Sequence, residues 1–179
     1  MSYFFKNCAP AVIAILSLSL SLGLNSVQAH LMKAQYGTLN VFEDDIYMVL
    51  SLPLSALPNT DINQDGTMTM IEFNQQRTAI IESIKTGIKL SSPKGDFFLD
   101  GIMLSPEAPH DSAGAFISQL VILGKFSVVQ SSQPLTFTNN FYGKGMGEQL
   151  ITITATRQSD KKAFVFELMP LAPAKELRF

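Results

Sequence analysis

Leu150-Ile151-Thr152-Ile153-Thr154-Ala155-Thr156 alternates apolar and hydroxyl-bearing side chains along its whole length. Successive side chains of a strand point to opposite faces, so Ile151, Ile153 and Ala155 share one face and the three threonines share the other. β-branched residues fit such a pleated, half-buried surface. The stretch therefore reads as a strand of a sheet with one dry and one wet face. Phe164, Phe166 and Leu168 repeat the alternation further on.

The same signal recurs upstream. Tyr36-Gly-Thr-Leu-Asn-Val-Phe42 reads as a strand, Glu43-Asp44-Asp45 as the turn after it, and Ile46-Tyr-Met-Val-Leu-Ser-Leu52 as a second strand. Ile46, Met48, Leu50 and Leu52 share the inner face, and the short acidic turn makes the pair a hairpin. Pro53 ends the second strand, because proline cannot donate to a central ladder. Further strand candidates are 88–90, 97–104, 119–129, 135–138, 149–157 and 163–168. Loop chemistry punctuates them at 91–95, 106–114, 131–134 and 143–147. About eight short strands at this spacing predict a mainly β chain folded as a β-sandwich.

One segment breaks the two-residue period. Met70, Phe73, Ile80, Ile81 and Ile84 form a stripe at helical spacing, with Glu72, Asn74, Gln75, Gln76, Glu82 and Lys85 on the wetter faces. Gly87 is a natural C-terminal stop. The spacing predicts one helix over 70–86, inserted after the second strand. Residues 54–60 contain Pro58 and are too few for a full helix of their own.

Directly before this helix stands Asp61-Ile-Asn63-Gln-Asp65-Gly66-Thr67-Met-Thr69-Met-Ile-Glu72. It fits the calcium-loop pattern D-x-[DN]-x-[DN]-G-x5-E at every defined position. Ca²⁺ is a hard cation that gathers about six to eight oxygens at roughly 2.3–2.6 Å. Asp61, Asn63 and Asp65 alternate so that their oxygens converge while the chain turns, and Gly66 permits the sharp bend. Thr67 offers its backbone carbonyl and Thr69 reaches the ion directly or through a water. Glu72 closes the shell with both carboxylate oxygens. Met68, at the eighth position, points into the core. The competing reading is an exposed Asx turn before a helix, capped by Thr69 or Asp65. The entering side lacks a helix and no second loop follows, so the site is a single EF-hand-like loop on a β-domain. A dissociation constant on the order of 10⁻⁴–10⁻³ M is expected, as for extracellular sites.

The first residues carry an address. Lys6, the apolar run 11–24 and Val27-Gln28-Ala29 are the parts of a secretory signal peptide, 1–29, cleaved after Ala29. An uncleaved anchor is the alternative, but the run is shorter than the ~20 residues needed to cross a bilayer. Cleavage leaves one domain, 30–179, periplasmic or secreted, without Cys8 and therefore without a disulfide or thiol. The chain has 13 basic and 15 acidic residues, and losing Lys6 leaves 12 against 15. That balance argues against nucleic acid or an anionic membrane surface as partner.

His30-Leu-Met-Lys-Ala-Gln-Tyr-Gly-Thr-Leu-Asn40, Met48-Val-Leu-Ser-Leu-Pro53, the calcium loop, Ser118-Gln-Leu-Val-Ile-Leu-Gly-Lys-Phe126 and 149–157 resemble exported bacterial proteins described as EF-hand domain-containing. They are also similar, to a lesser degree, to the outside domain associated with HupE/UreJ-type membrane proteins, which are linked to metal handling. The resemblance implies calcium binding at the matching loop and adds no catalytic residue. Other readings remain beside it. A new N-terminal His30 offers an α-amine and an imidazole, and with His110 makes a nitrogen set suited to Cu(II). Met32, Met48 and Met70 read as core filler rather than soft ligands. An enzyme is disfavoured, because His110-Asp111-Ser112 are adjacent and cannot form a hydrogen-bonded triad. A third reading is an interaction module, in which calcium stiffens the helix and a β face meets an envelope membrane protein.

Overall fold

Antiparallel pairing of Tyr36 with Ser51 through Phe42 with Asp45 closes the expected hairpin on its acidic turn. The computed structural model describes residues 33–58, 65, 67–109, 116–128 and 134–178. Residues 1–29, expected to be a signal peptide, lie outside them. The chain runs β1 (Tyr36–Phe42), β2 (Asp45–Pro53), a 3₁₀ turn (Leu54–Ala56), α1 (Met70–Gly87), β3 (Ile88–Ser92), β4 (Gly95–Phe98) and β5 (Asp100–Glu107). It continues as β6 (Gln119–Ser127), β7 (Thr136–Asn139), β8 (Ile151–Arg157), β9 (Lys162–Leu168) and β10 (Ala174–Glu176). One sheet has the order β5-β6-β2-β1-β8-β9 and the other β10-β7-β3-β4. The chain is thus mainly β, two sheets with one inserted helix, as a β-sandwich requires.

Inward faces follow the sequence pattern. Ile46, Met48, Leu50 and Leu52 of β2 are buried, as are Ile151, Ile153 and Ala155 of β8. The threonines between them are only partly covered. Phe126 of β6 meets Phe137 of β7 edge to face at 6.4 Å, joining the sheets through the core.

The expected strand at 97–104 is instead two strands in different sheets. Leu99, only 2% exposed, is the hinge between them. It fills the space beside Gly124 of β6, where a Cβ would lie 2.7 Å from Leu99 Cγ. Gly101 (φ +61°) and a register shift between Asp100 and Met103 mark the bulge that follows. Residues 106 and 107, expected in a loop, extend β5 because an edge strand tolerates Pro106. The short β10 adds a further strand whose three exposed residues carry no alternation.

The helix spans 70–87. Phe73, Ile80 and Ile84 are buried on its inner face and Ile81 packs partly against it. Met70 leaves the expected stripe and is 45% exposed, while Glu72, expected on a wet face, is buried. The first helical turn explains both, because Glu72 folds back over the N-terminus there. Gly87 also acts otherwise than expected, since its φ is not left-handed. A Cβ at Gly87 would lie 2.4 Å from Phe141 Cε2, so close packing requires glycine, and Ile88 continues directly into β3.

Register also fixes which loops share an end. Tyr36 aligns with Ser51 and Thr152, Gln119 with Pro53 and Glu107, and Ile151 with Leu168. The starts of β1, β6 and β8 and the finishes of β2, β5 and β9 therefore lie together at one end of the larger sheet, called here the upper end.

Candidate metal centre

Leu54, ahead of the calcium-type loop, and Met68, within it, both bond to the residues that lead into β6. Leu54 N–H donates to Ser118 C=O at 2.9 Å, and Ile117 N–H donates to Met68 C=O at 2.8 Å. The chain thus departs from the lead-in of β6 and returns to it, at the upper end. Met68 is fully buried there, as its place in the loop predicts.

Of the six ligands read from the sequence, Asp61 and Asn63 lie outside the described residues, as does Gly66. The other four form two pairs. Asp65 Oδ1 accepts from Thr67 N–H at 2.8 Å and from Thr67 Oγ1 at 2.7 Å. Glu72 Oε2 accepts from Thr69 N–H and Thr69 Oγ1, each at 2.9 Å, while Glu72 N–H donates to Thr69 Oγ1 at 3.3 Å. This reciprocal arrangement is a capping box: it satisfies donors that the first helical turn leaves open. Both side-chain bonds fall on Oε2, so Oε1 has no hydrogen bond among the described residues. Glu72 is 8% exposed and forms no ion pair among those residues. A carboxylate so buried next to a helix N-terminus gains from the helix dipole and from a cation.

Among the described residues, no three His, Cys, Asp or Glu side chains gather around one point. Oxygen donors of the carboxylate and hydroxyl type that are present suit a hard cation and offer nothing to a soft one. His30 and His110 lie outside the described residues. Their described neighbours Lys33 and Pro109 belong to the upper end, near strands β1 and β5 that are three positions apart, or ~14 Å.

Sequence reading missed two polar features. Glu148 Oε2 accepts from Ser55 Oγ at 2.6 Å and from Gly145 N–H at 2.9 Å, and Lys144 N–H donates to Ser55 Oγ at 3.3 Å. A Cβ on Gly143 or Gly145 would run into the Glu148 side chain, so the glycines of 143–147 make room for this clasp. The clasp holds the 3₁₀ turn from which the calcium-type loop departs. A run of closely spaced glycines followed by an acid was the available signal. At the opposite end, Phe42, Asp45, Tyr47 and Ser127 help line an open notch of about 710 Å³ around the hairpin turn. There Asp45 holds Ser127 Oγ at 2.8 Å and Lys125 Nζ at 3.2 Å, which keeps its carboxyl below the usual range. Asp45, expected in the turn, is instead the first residue of β2 and fastens it to β6.

Comparison with protein-family models and with the curated proteins returned no match.

Proposed function

We propose that this protein is an exported calcium-binding β-sandwich, holding one ion in the loop 61–72 and acting in the cell envelope without catalysis. The observation that carries the reading is the Thr69–Glu72 box in a loop whose sequence meets every defined calcium-loop position. It puts a buried carboxylate at the head of α1 with Oε1 unbonded among the described residues, which supports Glu72 as the last ligand of such a loop. Asp61, Asn63 and Asp65 supply the entering oxygens, Thr67 its carbonyl, and Thr69 a direct or water-borne contact. Three carboxylates repel one another without the ion, so binding orders the loop and stiffens the start of the helix. Calcium then serves structure, and an envelope membrane protein is the partner class proposed for the domain.

Calorimetric titration of the processed protein tests this. Calcium should bind one to one, with a dissociation constant on the order of 10⁻⁴–10⁻³ M, and Asp61→Ala should remove the heat. Magnesium should bind more weakly, because it demands near-ideal octahedral geometry. Equal heats from wild type and Asp61→Ala would contradict the assignment.

A further inference from the structure

The upper end of the larger sheet carries exposed apolar side chains on several separate segments. Met70 and Ile71 open α1, and the Ile117–Met68 bond brings the exposed Phe116 to the same segment. Met146 caps the glycine loop and is 105% exposed, and Leu150 leads from that loop into β8. Leu171 is 96% exposed in the turn after β9, closed by the Met169–Ala172 bridge. Gln35 Nε2 donates to Gly147 C=O at 2.7 Å, which ties the glycine loop to the entry of β1. A large apolar side chain wholly in water gains nothing from the fold that displays it, and several at one end mark a contact surface.

We propose that this upper end docks on the surface of a lipid bilayer. The apolar tips are spread from β6 to β9, four strand spacings or ~19 Å, which suits a broad flat phase better than a groove that reads a single line. The glycine loop turns its own carboxylate inward, onto Ser55 and the Gly145 N–H, and leaves Lys144 and Met146 exposed. Lys33 is exposed at the same end. An apolar tip flanked by ammonium groups matches the acyl boundary below and the phosphates above it. Whole-chain charge balance argued against an anionic surface, and Asp65 is exposed near the same end, but the apolar tips, not net charge, supply this contact. It does not depend on calcium.

Sedimentation with vesicles of phosphatidylethanolamine and phosphatidylglycerol, in chelator, tests the proposal on the protein as isolated after export. Wild type should sediment with the vesicles. The double variant Met146→Ser, Leu171→Ser should partition about tenfold less, with an unchanged melting temperature because both side chains are exposed. The control Phe98→Ser, Val165→Ser removes exposed apolar groups elsewhere and should bind as wild type does. Wild type that stays in the supernatant, or equal losses in the two double variants, overturns the proposal. So does a dimer in solution that the Met146→Ser, Leu171→Ser variant converts to monomer, which assigns the surface to a second copy.

Discussion

Glu72 Oε2 lies 2.9 Å from both the backbone nitrogen and the hydroxyl of Thr69, so one oxygen of the carboxylate caps the helix while the other has no hydrogen bond among the described residues. The two residues combine a local role, closing the first turn of α1, with the proposed role of metal ligand. Thr69→Ala removes the hydroxyl from the box and should cost about 1 kcal/mol in the absence of calcium. Urea unfolding in chelator measures this directly, as a lower midpoint with an unchanged slope.

Gly87 and Phe141 give a prediction whose sign opposes helix propensity. Exchanging glycine for alanine near a helix end ordinarily helps by up to about 1 kcal/mol. Here the added methyl group meets the Phe141 ring at 2.4 Å, and the ring is itself buried. Gly87→Ala should instead destabilise by about 1–3 kcal/mol. Shrinking the ring in Gly87→Ala, Phe141→Leu should recover part of that loss relative to Phe141→Leu alone, read from urea midpoints.

Acid should weaken the fold through three surface carboxylates. Ser127 and Lys125 lower the pKa of Asp45, Lys89 and Ser91 lower that of Asp96, and Arg157 lowers that of Asp160 furthest. A folded-state value below the unfolded one gives stability that is complete above the ordinary value of 3.8 and drains as pH falls through the folded value. The melting temperature should therefore be flat above about pH 5 and decline below about pH 4. Each group is solvent-exposed, so Asp160→Asn should shallow the decline rather than abolish it.

Alkali acts through Tyr142. Burial pushes its hydroxyl up to about 12, and its interaction with the Asn139 side chain only partly opposes this. Among the described residues, neither Tyr142 Oη nor Asn139 Oδ1 meets a partner at normal hydrogen-bond geometry. The raised value means that stability is intact below the unfolded pKa of about 10 and is lost as pH rises from there toward 12. Tyr142→Phe should remove this component, so its melting curve above pH 10 should fall less steeply than that of wild type.

Strands with one covered face were legible because period-two alternation survives in each, as Ile151, Ile153 and Ala155 show. The break at Leu99 was not, since a residue that carries the chain between sheets faces the core just as a mid-strand residue does. Nor was β10, whose residues 174–176 are all exposed and held by backbone pairing to β7. At the candidate site, spacing suggested a ligand set and placed Met68 in the core, where it lies. It did not disclose that Glu72 caps its own helix, or that Glu148 and Ser55 fasten the turn before the loop. Those contacts depend on which segments the fold brings together, Ser55 and Glu148 being 93 residues apart.

Glu72→Gln separates a metal ligand from a mere helix cap, because glutamine can keep the capping box yet cannot offer Ca²⁺ a charged bidentate pair. Melting of both proteins, in chelator and in about 10 mM calcium, is the direct measurement. At the expected affinity calcium should stabilise wild type by about 1.4–2.7 kcal/mol. The account predicts that shift for wild type, nearly equal curves for the two proteins in chelator, and no calcium shift for Glu72→Gln. A wild-type curve unmoved by calcium, or a shift of the same size in Glu72→Gln, would contradict it.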